Sequence, residues 1–270
     1  MILNLRLLAG GLALLSCCGS LAAQATSLSK EEINGATRTD DFSIPSPAEL
    51  MASLSKQGKP DWTTKFRPPI GTSYPSRAQL ALNLGSLVAD GLIAVEAEDS
   101  QQVKNLGRDI LQIAKNLGVP QSIVMRGSSI TDFAERKQWD QLKEELEATV
   151  NEVKESMHDS KDEDLVTLVT VGAWARGVEV ISSHIVDRYS EGSAKILRQP
   201  AILSYLNKKL DGLAEKTRDD AKVKTVRLKM IEMELLVSFP RDKAASLEDV
   251  KKLHTISSDL VRDLAKKPIK

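Results

Sequence analysis

Cysteine is nearly missing from this 270-residue chain. Only Cys17 and Cys18 occur, both close to the N-terminus. If that segment is removed on export, disulfides, thiol catalysis and Cys-ligated metals are excluded together, and the protein must hold itself by its core. Aromatic residues are scarce, at 4%, so stacking platforms for single-stranded nucleic acid or sugars are sparse. Charge of one sign is also missing: 37 basic residues balance 37 acidic ones, which leaves no basic excess to displace counterions from nucleic acid. No G-x-G-x-x-G, Walker or G-x-S-x-G motif occurs, so no nucleotide cofactor or serine-hydrolase elbow is implied. No cofactor of any other kind is expected.

The first 25 residues are what the chain has instead. Arg6 is their only charge, Leu7 to Leu15 is apolar, and Ala23-Gln24-Ala25 is an A-x-A cleavage pattern. That order is expected of a secretory signal peptide cut after Ala25. Cleavage would remove one Arg and no acid, leaving 245 residues with a net charge of −1. An alternative is a lipoprotein: Leu14-Leu15-Ser16-Cys17 loosely matches a lipobox, with Cys17 as the lipidated residue and a membrane anchor. Either route places the protein in the cell envelope, periplasmic or secreted in the first case.

Residues 26–75 hold six of the ten prolines, at positions 45, 47, 60, 68, 69 and 75. They read as a mostly irregular arm, with one short helix near 46–55 capped by Ser46 and opened by Pro47. Trp62, Phe66 and Tyr74 fall within thirteen residues, a density that suits docking on the domain better than a free tether.

From Ser76 onward the pattern is helical, and residues 76–270 are expected to form a single all-α domain, a bundle of six to seven helices. Ser76-x-x-Gln79 is a capping box opening a helix to about Ala97. A second runs from Asp99 or Ser100 to Leu117 and stops at Gly118-Val119-Pro120. A third is expected from about Thr131 to Met157, and a fourth from Glu163 to Tyr189. A short piece ends near Arg198. Pro200 opens a helix to about Lys216, another spans Asp219 to Val237, and Ser246-x-x-Asp249 opens the last, through Ala265. No alternating stretch is long enough for a sheet.

The first and fourth helices are the unusual ones. Ala78 to Ala89 and Leu165 to Ala175 carry no charge, and both runs are short of the ~20 residues that span a bilayer. Helices apolar nearly all round belong in the middle of a domain. Both also hold small residues at close spacing, Ala81 and Gly85 in one, Ala173 and Gly177 in the other. Interior glycine costs about 1 kcal/mol relative to alanine, which close backbone packing would justify. These two helices are therefore expected to touch, and no transmembrane segment is expected in the mature chain.

Asp90 and Arg176 are the first charges to interrupt those runs. If the helices pack, the two meet in the interior, where an unpaired charge is expensive. The reading favoured by frequency is a structural ion pair. The functional alternative is an interior pocket in which Arg176 forks onto an anionic ligand, with Glu96, Glu98, Glu179 and His184 as its rim. Metal is not expected. Glu155-x-x-His158 has the spacing used by di-metal bundles, but it occurs once and those sites need it twice. Met230 and Met233, with Ile231, Leu235 and Leu236, form either a core stripe or an adaptable binding stripe.

The function expected from these residues is an exported envelope protein that binds or scaffolds without catalysis, acting on a protein partner. The alternative is a small-molecule binder or enzyme built around Asp90 and Arg176. Intact mass of the protein recovered from the envelope tests the processing step. A polypeptide beginning at Thr26 is expected, and a diacylated chain beginning at Cys17 would replace that reading with the lipoprotein.

Overall fold

The computed structural model describes residues 37–39, 42–44, 47–56 and 60–266. The expected signal segment, its cleavage site and Cys17 lie outside the described residues. The fold is all-helical, as the periodicity requires. Its long helices are α2 (Arg77–Glu96), α3 (Ser100–Leu117), α6 (Trp139–Asp159), α7 (Glu163–Asp187), α11 (Ala221–Val237) and α12 (Leu247–Ala265), with α9 (Pro200–Asp211) of medium length. Five short helices bring the total among the described residues above the six to seven expected: α1 (Pro47–Ser55), α4 (Gln121–Val124), α5 (Gly127–Glu135), α8 (Glu191–Lys195) and α10 (Glu215–Arg218). Ahead of them stands a small hairpin, β1 (Thr37–Thr39) antiparallel to β2 (Phe42–Ile44), with Thr37 opposite Ile44. Three-residue strands are too short to show in an alternation pattern.

Several boundaries follow directly from caps. Ser76 accepts from the Gln79 amide, Asp99 from Gln102 and Ser246 from Asp249. Gly118 closes α3 at φ 88, in the left-handed region that glycine enters without a steric penalty. The capping box at Ser76 is only half made, because the Gln79 side chain turns inward. The expected third helix is broken in two. Lys137 adopts φ 56, and the Lys137 and Gln138 amides fold back onto the carbonyls of Ala134 and Phe133. This is a Schellman-type stop built without glycine, so no residue type announced it. The helix expected to reach Lys216 ends at Asp211, and α10 follows separately.

Helices α2 and α7 touch, and they do so by backbone. A Cβ on Gly85 would lie 1.9 Å from the Val169 carbonyl oxygen, and one on Gly172 would lie 2.0 Å from that of Leu82. The glycine of α7 that admits α2 is thus Gly172, five residues before the expected Gly177. The two helices run in the same direction: Arg77 pairs with Asp162 near their N-termini, and Arg176 with Asp90 further along. Both are long and apolar enough to cross a membrane by length and composition, but 89% and 83% of their most apolar windows are buried inside the fold. Helix α3 and helix α12 pack on this central pair, α11 on α12, and α9 on α11.

The arm docks. Trp62 and Tyr74 are buried, Phe66 packs against the core, and Met51 and Leu54 of α1 are fully enclosed. The Tyr74 hydroxyl donates to the carbonyl of Ala265 at 3.2 Å.

Gly85→Ala should force α2 and α7 apart and destabilise the fold by about 3 kcal/mol or more, as overpacking against backbone does. Gly107→Ala in α3 meets nothing within 4 Å and should stabilise by about 0.5–1 kcal/mol. Urea unfolding of the two variants checks both signs.

Candidate functional site

One face of α2 carries Gln79, Asn83, Ser86 and Asp90, spaced four, three and four residues apart, and all four are buried. The spacing puts them on one line along the helix. Buried polar groups need hydrogen-bond partners, and along this line the side-chain amide donors have them, while the Asn83 carbonyl oxygen Oδ1 has none. Gln79 Nε2 donates to the carbonyls of Leu264 and Lys266 at 2.8 Å each, and Asn83 Nδ2 to Leu264 at 2.8 Å. These are carbonyls at the C-terminal end of α12, which no intrahelical amide reaches. The upper half of the line thus ties α12 to α2.

The lower half holds the charges. Asp90 Oδ1 accepts from Arg176 Nε at 2.7 Å, and Oδ2 accepts from Arg67 Nε at 2.7 Å. Arg176 also donates to Glu179 Oε2 at 2.9 Å and to the Lys65 carbonyl at 2.6 Å. Arg67 donates to Ser86 Oγ at 2.8 Å. Two guanidiniums and two carboxylates make the cluster neutral. Burial disfavours the Arg176 charge, but Asp90 and Glu179 outweigh it and hold the guanidinium's pKa above its usual value. Helices α2 and α7 position Asp90, Arg176 and Glu179, and the arm supplies Arg67 and the Lys65 carbonyl. Lys65 extends the clasp along α7, bonding Ser183 Oγ at 3.0 Å and Asp187 Oδ2 at 2.7 Å.

The expected interior meeting of Asp90 and Arg176 is therefore observed, with Glu179 beside it. The other expected rim residues stand elsewhere. Glu96 is six residues past Asp90, about 9 Å along the helix, and pairs with Lys143 of α6 at 2.7 Å. It lines an open cleft with Glu98, Lys137, Trp139 and Lys143. His184 is eight residues past Arg176, about 12 Å along α7. Partial burial and the neighbouring Lys65 and Arg188 hold its pKa below that of an ordinary histidine. His158 is exposed, 3.6 Å from Glu163. Among the described residues no three His, Cys, Asp or Glu side chains come together as a metal site. Arg67 is the site residue that sequence reasoning missed. Its signal was available: it is the one cation between the docking aromatics Phe66 and Tyr74.

A groove of about 230 Å³ adjoins the cluster, between Phe66–Ile70 of the arm and Gln102, Asn105 and Arg108 of α3. Its floor reaches Arg67 and Asp90, whose charges already answer each other.

A second surface stands apart from this interior. Helix α11 buries Val223, Val226, Met230, Met233 and Val237, and exposes Leu228, Ile231 and Leu235 at 64%, 49% and 76%. The expected Met stripe is thus divided, with the methionines in the core and Ile231 and Leu235 on the opposite face.

Comparison with known protein-family models, curated proteins and solved structures finds no match.

Asp90→Leu leaves the buried Arg176 and the part-buried Arg67 without their shared carboxylate and should cost about 3–5 kcal/mol. Asp90→Leu combined with Arg176→Leu also removes the most deeply buried guanidinium, leaves the part-buried Arg67 and Glu179 with no net charge between them, and should recover part of that loss. Chemical unfolding of the two single variants and the double variant measures the coupling. Strict additivity would refute a structural clasp.

Proposed function

We propose that this is an exported cell-envelope protein that binds or scaffolds a protein partner without catalysis, and that the outward face of α11 is its contact surface. The observation that carries this reading is the exposure of Leu228, Ile231 and Leu235. Scattered surface leucines need no explanation, but a contiguous apolar stripe marks a contact site. The stripe is regular: positions 228, 231 and 235 follow the three- and four-residue spacing by which helices dock in grooves or on other helices. Three of the six large exposed hydrophobic residues among the described ones lie on this single helix.

Export rests on the leader-like order of Arg6, Leu7 to Leu15 and Ala23-Gln24-Ala25. The burial of α2 and α7 against each other and against their neighbours suits core helices of a water-soluble domain. The small-molecule reading around Asp90 and Arg176 has less to stand on. The four charges satisfy one another, so binding an anion would cost the arm its clasp. The adjoining groove, at about 230 Å³, falls below the ~300–1,000 Å³ usual for ligand pockets.

A photo-crosslinking amino acid placed at Ile231 and activated in intact cells tests the reading. A discrete covalent protein adduct is expected from position 231 and none from the exposed polar position Lys216. If position 231 gives no adduct, α11 is not the contact surface.

A further inference from the structure

The identity of the partner is open to a physical argument, which rests on the contact role of α11. The charges around the stripe are sorted along the helix. Lys224, Arg227 and Lys229 precede its midpoint, and Glu232 and Glu234 follow it. They are also sorted around the helix. With 100° between successive residues, Arg227 and Glu234 fall on one flank of the Leu228–Ile231–Leu235 line, and Lys229 and Glu232 on the other. Each flank therefore carries a cation in its first half and an anion in its second.

Such a face is complementary to itself turned end for end. An antiparallel pair related by a two-fold axis near Ile231 sets Leu228 against the partner's Leu235, and the reverse. On one flank Lys229 comes within about 3 Å of axial height of the partner's Glu232, and on the other Arg227 comes as close to the partner's Glu234. A parallel pair would set Arg227 beside the partner's Lys229 and Glu234 beside the partner's Glu232, like charges that repel. Within one chain these groups are already engaged at the surface. Lys229 pairs with Glu232 at 2.9 Å, Arg227 with Asp211, and Glu234 accepts from Asn207 at 2.5 Å. The two exposed ion pairs are worth about 0–1 kcal/mol each, so exchanging their partners costs little, and Glu234 has a second carboxylate oxygen with which to meet a cation while it keeps Asn207.

We propose that the outward face of α11 pairs antiparallel with the same face of a second copy of this chain, making an isologous dimer closed around Ile231. Closed two-fold contact also ends the association at two copies rather than propagating it. Three apolar side chains and their charged flanks cover less than the ~800 Å² per partner of a standard interface. The dimer is accordingly concentration-dependent and weakened by salt, which screens the flanking pairs.

The test uses the full chain with Cys17 and Cys18 replaced by serine. Sedimentation equilibrium should show a monomer–dimer equilibrium, with Leu235→Asp weakening it at least about tenfold while circular dichroism stays unchanged. Cysteine scanning then fixes the geometry. Under mild oxidation Ile231→Cys should link to itself. Leu228→Cys and Leu235→Cys should link to each other when mixed and not to themselves. A monomer at every concentration, or efficient self-linking of Leu235→Cys, overturns the proposal. The mass of the Ile231 photo-adduct distinguishes self-pairing from contact with another protein. An adduct of twice the chain mass agrees with self-pairing. An adduct of any other mass rejects self-pairing but keeps α11 as a contact surface, and no adduct rejects both.

Discussion

The close approach of α2 and α7 is the constraint on which the rest of the structure depends. Glycine at 85 and 172 lets each backbone press against the other's carbonyls, with no side chain between them. Contact at that distance brings Asp90 opposite Arg176, because both lie a short way further along their parallel helices. A single buried pair would still leave Asp90 Oδ2 and the remaining guanidinium donors of Arg176 unanswered, which is costly for charged groups. The arm answers them. Arg67 takes the second carboxylate oxygen, and the Lys65 carbonyl takes Arg176. The packing of two helices thus determines where a proline-rich segment more than twenty residues upstream in sequence must lie. Buried ion pairs are weak sources of net stability. What this one provides is register: it fixes one rotation of α2 against α7 and one path for the arm.

The same helix solves a second problem with the same face. Helix C-termini leave carbonyls without amide partners, and α12 ends against the core rather than in water. Gln79 and Asn83 supply the missing donors. This explains why an otherwise apolar helix carries a polar residue every three or four positions, and why the Gln79 side chain abandons the capping box that its spacing from Ser76 suggests. A local motif lost to a tertiary demand, because the Leu264 carbonyl is buried and needs a donor, while Ser76 is only part-buried.

Much of the fold was legible in sequence because it rests on local rules. Periodicity located the long helices, and Ser76, Asp99, Gly118 and Ser246 marked their ends by capping chemistry that depends on a few adjacent residues. The glycines and the lone charges of α2 and α7 located the interior contact. What escaped depends on relations between distant segments. Lys137 ends α5 in a conformation that residue identity does not favour. Glu96 and His184 share an element with Asp90 and Arg176, but helix rise carries them to different neighbours. Arg67 belongs to the site only because the arm folds back, and the line from Gln79 to Asp90 becomes visible as a line only when α2 is known to be buried around most of its circumference.

Helix α11 shows how the same periodicity separates two kinds of apolar surface. In α2 and α7 hydrophobic residues occur around the whole circumference, and neighbouring elements cover most of it. In α11 they fall on two opposed lines, Val226–Met230–Met233–Val237 and Leu228–Ile231–Leu235, divided by lysine, arginine and glutamate. A helix needing only one buried face gains nothing in monomer stability from the second line, and exposed apolar surface carries a standing risk of nonspecific association. The charges limit that risk, because their order along the helix admits a partner running in one direction and repels one running in the other. Specificity here is built from arrangement rather than from net charge, which is why a chain with balanced composition can still carry a surface that discriminates.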